Sequence, residues 1–244
     1  MSAARRFFVE GTQELGGVVE IGGSDARKIG RVLRLRPADR IEIVDSAATA
    51  FAASIDSIGS VVRATLLQVL ASPQESGVTL LCDVAQAVPK AQRMEFVVEK
   101  CTELGANAFL PFYCERSAAR SVGAQKLARW ERLARAAAQQ SGRRDVPKIC
   151  DPVRFDALLE RFAAYDAVLF AWELAPQIPL RERIAALPAA GRALVVVGPE
   201  GGFTHDEADA AEHRGATMLS LGARILRTDT AAVAVLAVIG ALTS

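Results

Sequence analysis

The sequence predicts an α/β protein in two parts, a small β-rich N-terminal segment and a larger region of alternating strands and helices. Three observations lead there. Up to residue 70, the chain falls into short β-branched runs separated by Gly, Asp, Ser and Pro. From residue 78 onward, apolar strand-like runs alternate with stretches of helical periodicity. Between them, residues 71–77 (Ala-Ser-Pro-Gln-Glu-Ser-Gly) are polar and turn-rich, and the boundary is set there, giving domains 1–72 and 73–244.

In the first domain, residues 18–21, 40–45, 51–55 and 61–69 read as strands, and residues 24–35 as the one helix. That pattern suggests a small β-barrel-like domain. In the second, residues 79–85 form an apolar strand. Residues 93–104 follow with Met94, Val97, Val98, Cys101 and Leu104 at helical spacing, and Gly105 ends the helix. Residues 108–113 are again a strand, and residues 126–141 an amphipathic helix. At about 100° per residue, its Leu127, Trp130, Leu133, Ala137 and Ser141 share one side, opposite Arg129, Arg132, Arg135 and Arg143. Residues 167–172 and 193–197 are further buried strands.

With 244 residues, 51% hydrophobic and 23% charged, the chain has enough apolar material for a substantial core and is not a disordered polymer. No apolar signal core follows Met1, and residues 230–242 fall short of the roughly 20 that span a bilayer. Cys82, Cys101, Cys114 and Cys150 show no CxxC pairing, and only His205 and His213 accompany them. Neither a metal site nor a disulfide framework is expected, and a reducing cytoplasm fits.

The net charge of +1 hides a concentration of positive charge. Residues 112–148 hold nine Lys or Arg against three acids. A second run, Arg27, Lys28, Arg31, Arg34 and Arg36, has no acid between Asp25 and Asp39. One such run reads equally well as a solvated helix face; two together point toward a polyanion such as nucleic acid.

Two glycine-marked loops carry the chemistry. Val195-Val196-Val197-Gly198-Pro199-Glu200-Gly201-Gly202-Phe203-Thr204 is a buried strand running into a glycine-rich turn, and Thr204 and Glu207 have the spacing of a capping box. Ligands of open α/β sheets bind at such strand ends, where glycines let backbone approach them closely. The loop has neither GxxxxGK[ST] nor GxGxxG, and Glu200 with the acidic helix start would oppose a phosphate. A ligand with a positive centre and adenosine-like groups suits it better; an ordinary strand-to-helix turn is the competing interpretation. In the second loop, residues 219–232, a strand ends in Gly222 and a Thr/Asp cluster caps an apolar helix. Arg227 stands there without a packing reason, unless it caps a neighbouring terminus.

These residues resemble a known family. Gly198-Pro199-Glu200-Gly201-Gly202-Phe203 with Leu221-Gly222-Ala223-Arg224-Ile225-Leu226-Arg227-Thr228 is similar to the SPOUT methyltransferases, and more narrowly to the ribosomal RNA small-subunit methyltransferase E family. Ile29-Gly30-Arg31-Val32-Leu33-Arg34-Leu35, residues 90–95 with 102–105, and Glu115-Arg116-Ser117 with Arg129-Trp130 and residues 139–143 agree in order. The resemblance implies an α/β SPOUT-type C-terminal domain with a deep trefoil knot, joined to an N-terminal PUA-like β-barrel that holds RNA. It also implies a homodimer whose site is completed across the interface, and S-adenosylmethionine-dependent methylation of uridine N3 in 16S ribosomal RNA, with the assembled subunit as the expected substrate. No membrane or metal partner is implied.

Carried onto this chain, the family's cofactor site is Val197, Gly198, Pro199, Glu200, Gly201 and Gly202 with Leu219, Leu221, Gly222, Ile225, Leu226 and Arg227, closed by Trp172 and Glu173. Arg116, Arg120 and Arg227 are the expected catalytic cations; Arg6, Arg31, Arg34, Arg129, Arg132 and Arg143 are the expected RNA contacts. Two positions depart from the family: Asp229 stands where Glu is usual, and a His common before Ile29 is absent. An RNA-binding assembly protein without catalysis, or a SPOUT enzyme acting at another RNA position or on transfer RNA, would share most of these features.

Overall fold

The computed structural model describes residues 5–71, 80–119 and 121–243; the expected domain boundary after residue 72 and Arg120 lie outside the described residues. Two compact units are present, Met1–Gly77 with Ala138–Asp145, and Val78–Ala137 with Val146–Ser244.

The first unit is a five-stranded mixed sheet in the order β1-β3-β4-β5-β2. Its strands are β1 (Arg6–Phe8), β2 (Val18–Ile21), β3 (Arg40–Val44), β4 (Ala50–Ile58) and β5 (Val62–Ala71). Alternation sets its inner face: in β2, Val19 and Ile21 are buried while Val18 and Glu20 face outward. Register shifts along β4–β5 mark bulges, which bend a sheet locally. β1 escapes a sequence reading because it is three residues long, and its parallel pairing with β3 is entirely long-range.

The helix expected over residues 24–35 is shorter. Helix α1 (Gly23–Arg27) runs into a π-helical turn, Lys28–Val32. Leu33 N donates to Lys28 O (2.8 Å), Leu35 N to Ile29 O (3.0 Å), and Arg34 sits at φ +53°. Regular helix would carry Leu35 away from Ile29; the wider turn lets both enter the core, and Pro37 then disfavours continued helix at Arg36.

The second unit is a parallel sheet in the order β12-β10-β11-β6-β7-β8, with β9 also paired to β7. Its strands are β6 (Leu80–Ala87), β7 (Ala108–Tyr113), β8 (Lys148–Ile149), β9 (Val153–Arg154), β10 (Ala167–Ala171), β11 (Gly191–Val197) and β12 (Thr217–Leu219). Its helices are α2 (Arg93–Glu103), α3 (Ala124–Ser141), α4 (Phe155–Glu160), α5 (Leu180–Ala185), α6 (His205–His213) and α7 (Thr228–Thr243). Helices cover both faces, which explains why β11 reads as a continuous apolar run. Ala193, Val195 and Val197 pack with residues of α2, α3, α5 and α7 on one face, and Leu194 and Val196 pack with residues of α4 and α6 on the other.

Helix α3 buries Trp130, Ala134, Ala137 and Ala138. Ser141, expected on that side, is exposed, and Arg135, expected on the solvent face, is half-buried. Its last turn belongs to the first unit. There Ala138 packs with Phe8, Val44 and Ala50, and Gln139 bonds both Lys28 Nζ (3.2 Å) and Asp25 Oδ2 (3.1 Å). Among the described residues no helix is long and apolar enough to cross a membrane.

Candidate active site

Three neighbouring parallel strands end level with one another: Ala171 of β10 pairs with Val197 of β11 and with Leu219 of β12. The segments that leave these ends enclose a cleft of about 510 Å3, inside the ~300–1,000 Å3 range of small-molecule sites. Residues 171–173, 197–203 and 219–228 line it, together with Arg93, Gln177 and Ala231. Every residue expected at the cofactor site is among them, although the two glycine loops are some twenty residues apart in sequence.

The first loop is held from several sides. Gly202 N donates to Pro199 O (3.0 Å), closing a tight turn, and Gly202 has φ +68°. A Cβ there would lie 2.5 Å from Glu173 Oε1, so the turn needs glycine for its conformation and for this approach. At Gly198 a Cβ would come within 2.9 Å of the Phe203 ring. Phe203, 3% exposed, packs with Phe112, Phe155 and Phe170 and anchors the far end of the loop.

Helix α6 then starts as anticipated. Thr204 Oγ1 accepts from Glu207 N (3.2 Å), and Glu207 Oε2 accepts from Thr204 N (3.0 Å). Glu207 Oε1 also accepts from Glu115 N (2.8 Å), so the same carboxylate fastens the loop that carries Arg116. Arg116 Nη1 donates to Gly201 O (3.1 Å) and Phe203 O (3.2 Å). Glu200 Oε1 accepts from Lys90 N (3.0 Å) and pairs with Arg93 Nη1 (3.5 Å), tying the loop to the start of α2.

The second loop is more open. Gly222 has φ +97° and empty space where a Cβ would stand. Ile225 is 88% exposed, and Arg227 is exposed, its guanidinium without a hydrogen-bond or ion-pair partner among the described residues. The Arg227 carbonyl accepts from Thr230 N (3.0 Å) and Ala231 N (2.9 Å), starting α7 through its backbone and leaving the guanidinium uncommitted. Trp172 closes one side, its ring edge-on to His205 at 5.4 Å.

Sequence reasoning missed Arg93, Gln177 and Thr228 in the wall, and Gln86 behind it. Gln86 carried a signal, the one amide in a strand that is apolar apart from it and Asp83. The expected RNA contacts are dispersed within their own units. Arg31 and Arg34 are exposed in the first. Arg6 in the same unit is committed to Glu42 (2.7 Å) and to Gly142 O, and Arg143 to Asp145. In the second unit Arg129 pairs with Glu95 (2.7 Å) and Arg132 Nε bonds Ala128 O (3.2 Å), both from exposed positions.

The chemistry available is that of positioning and charge. No thiolate nucleophile is on offer: burial pushes the Cys82 thiol up to about 11 and Cys101 to about 12, and raises Cys114 and Cys150. His205 and His213 are exposed on α6. What the cleft does offer is glycine backbone, apolar walls, the carboxylates of Glu173 and Glu200, and the guanidinium groups of Arg224 and Arg227, neither with a side-chain partner among the described residues.

The RNA methyltransferase domain family matches residues 78–240. The ribosomal RNA small subunit methyltransferase E of Bacillus subtilis is 30% identical over 237 residues, 93% of this chain and 92% of that one. The protein of the same description from Mycobacterium bovis is 34% identical over 251 residues, 99% and 93% of the two chains. The crystal structure of a ribosomal RNA small subunit methyltransferase E from Neisseria gonorrhoeae, bound to S-adenosyl methionine, superposes with a TM-score of 0.85 at 28% identity over 98% of both chains.

Proposed function

Because the chain belongs to the ribosomal RNA small-subunit methyltransferase E family, we propose that it methylates N3 of a uridine in 16S ribosomal RNA, with S-adenosylmethionine as the methyl donor. The observation that carries the reading is the cleft, a glycine-lined backbone cradle at three level strand ends with an uncommitted arginine at its rim. The residues present fit that cofactor. The glycine positions leave backbone N–H and C=O groups accessible, Val197, Leu219, Leu221 and Leu226 suit an adenosine face, and Glu173 suits a cationic ligand. S-adenosylmethionine, when bound, supplies an electrophilic methyl group on a sulfonium that leaves as a neutral thioether.

The protein's task is then to orient the nucleophile and manage its proton. Uridine N3 loses its proton before or during attack, and negative charge develops on the flanking carbonyl oxygens. A fixed cation aimed at them lowers the barrier because it needs no reorganisation during reaction. Arg227 takes this role, with Arg116 or Arg120 supplied by the other subunit of a homodimer. Among the described residues Arg116 bonds loop carbonyls through Nη1 alone, which leaves Nε and Nη2 for substrate. The walls exclude water and hold the reacting atoms in line. Apolar Ile225 and Leu174, 88% and 59% exposed, are side chains that a partner copy would cover.

In the same reading, residues 1–72 form a PUA-like barrel whose exposed Arg31 and Arg34 meet RNA, and Arg129 and Arg132 are the expected contacts of the second unit; Arg6 and Arg143, expected contacts as well, spend their guanidinium groups on Glu42 and Asp145. Residues 73–244 form the knotted catalytic domain. The return of Thr228 to within hydrogen-bond reach of Gln86 and Gly198 is the kind of contact a threaded chain end makes. The enzyme works in the cytoplasm on the assembled small subunit. The test is methylation of small ribosomal subunits from cells lacking this enzyme, with labelled S-adenosylmethionine and nucleoside mass spectrometry. Labelled 3-methyluridine is the expected product. A different methylated nucleoside overturns the substrate assignment, and cofactor binding without transfer points to an assembly protein.

A further inference from the structure

We propose that Gln86 is a positioning residue for the cofactor cleft, holding its two loops in register through Thr228 and the Gly198 carbonyl without touching any ligand. The inference rests on the methyltransferase reading of the cleft. Gln86 lies in β6 and is 0% exposed, in a stretch whose other buried residues are almost all apolar. Its Nε2 donates to Ala87 O (3.0 Å) and to Thr228 Oγ1 (2.8 Å), and lies 3.5 Å from Gly198 O. Thr228 Oγ1 in turn donates a hydrogen bond to Gly198 O. Carbonyl oxygens only accept, so the nitrogen end of the amide must face Ala87 and Gly198. The chain of donors therefore runs one way, from Gln86 through Thr228 to Gly198.

The targets give this chain its meaning. Gly198 and Thr228 line the cleft, one at the start of the glycine-rich turn and the other at the start of α7. They are 30 residues apart, and Gln86 is 142 residues from Thr228. Turning the Gly198 carbonyl inward sets the orientation of the peptide that precedes Pro199 and hence the path of the loop. The amide also leaves its own Oε1 buried, with no partner among the described residues. The cost of that unpaired acceptor offsets part of what the Nε2 bonds contribute, so a length-matched apolar side chain should change the stability of the fold little. The polar group is explained by what it holds.

Gln86→Met, Thr228→Val and the double variant test this, using S-adenosylmethionine affinity by calorimetry, RNA affinity and thermal midpoint on the full chain. Gln86→Met should weaken S-adenosylmethionine about tenfold, the worth of one hydrogen bond, with its thermal midpoint little changed and RNA affinity kept. The double variant should lose less than the product of the single losses, because both cut one chain of bonds. Wild-type affinity in a folded Gln86→Met overturns the proposal, as does a thermal midpoint that falls in step with cofactor affinity. If Gln86→Met does not fold, the side chain is a packing element and the proposal also falls. Wild-type protein that does not bind S-adenosylmethionine refutes the methyltransferase reading instead, so the two failures are distinct.

Discussion

Glu207 joins the start of α6 to the loop that carries Arg116, and truncating it should cost more than losing a helix cap. In Thr204→Ala the bond from Glu207 N to the threonine hydroxyl is lost, while both carboxylate bonds remain. That is an ordinary N-cap truncation, worth about 1 kcal/mol. In Glu207→Ala the carboxylate disappears, and with it the bonds from Thr204 N (3.0 Å) and from Glu115 N (2.8 Å), the latter 92 residues away. Bonds to a charged acceptor are worth ~1.5–3 kcal/mol each when buried. The Thr204 bond is only partly buried and the Glu115 bond is exposed, which brings each to about 1 kcal/mol. The total is therefore about 2 kcal/mol. At ~2–4 °C per kcal/mol for a chain of this size, Glu207→Ala should melt about 4–8 °C below wild type, and Thr204→Ala about 2–4 °C below. Thermal unfolding followed by circular dichroism measures both. Equal shifts in the two variants would mean that the carboxylate contributes no more than the cap, and that Arg116 owes nothing to Glu207 for its place beside Gly201.

Three further outcomes are expected. Gly202→Val places a β-branched residue at φ +68° and brings its Cβ to 2.5 Å from Glu173 Oε1. The glutamate tip can move but the turn must open, so S-adenosylmethionine affinity measured by calorimetry should fall more than tenfold in a protein that still folds; unchanged affinity would remove the turn from the cofactor site. Cys101 has its folded value raised above its ordinary 9.0 to about 12 by burial. Its stabilising contribution is complete below pH about 9 and is lost as pH rises toward 12, by up to about 1.4 kcal/mol per pH unit. The thermal midpoint should drop across that window, more shallowly in Cys101→Ala, and parallel curves would contradict the assignment. Alanine at Arg31 or Arg34 should reduce the slope of log affinity for single-stranded RNA against log salt by about 0.7 each, with similar loss for every sequence. An unchanged slope would take these residues out of contact with phosphate.

Much of the second unit was legible because its signals are local. The strand at Ala108–Tyr113 and the capping box of Thr204 and Glu207 stand where periodicity and spacing place them. The glycine loop is recognisable because a buried parallel strand is apolar on both faces and must end in a residue that permits a sharp turn. Other features depend on partners far away in the chain. Strands of two or three residues such as β1, β8 and β9 exist only through pairing. The helix after Gly23 gives way to a π turn because Ile29 and Leu35 must both reach the core, a demand that no local propensity expresses.

Arginine shows the same division most clearly. A basic residue in a basic stretch looks alike whether it waits for a phosphate or is already paired. Arg6 and Arg143 proved to be committed within the first unit, whereas Arg227 keeps its guanidinium free at the cleft. The sequence by itself determined the α/β class of the larger unit, the glycine turn, the capped start of α6 and the family, all of which rest on neighbouring residues or on motif order. Only the tertiary structure decided that the ends of β10, β11 and β12 stand level and that Gln86 reaches Thr228 and Gly198. Those facts are set by which strands pair and which side chains share an interior, and such long-range contacts leave no period in the chain.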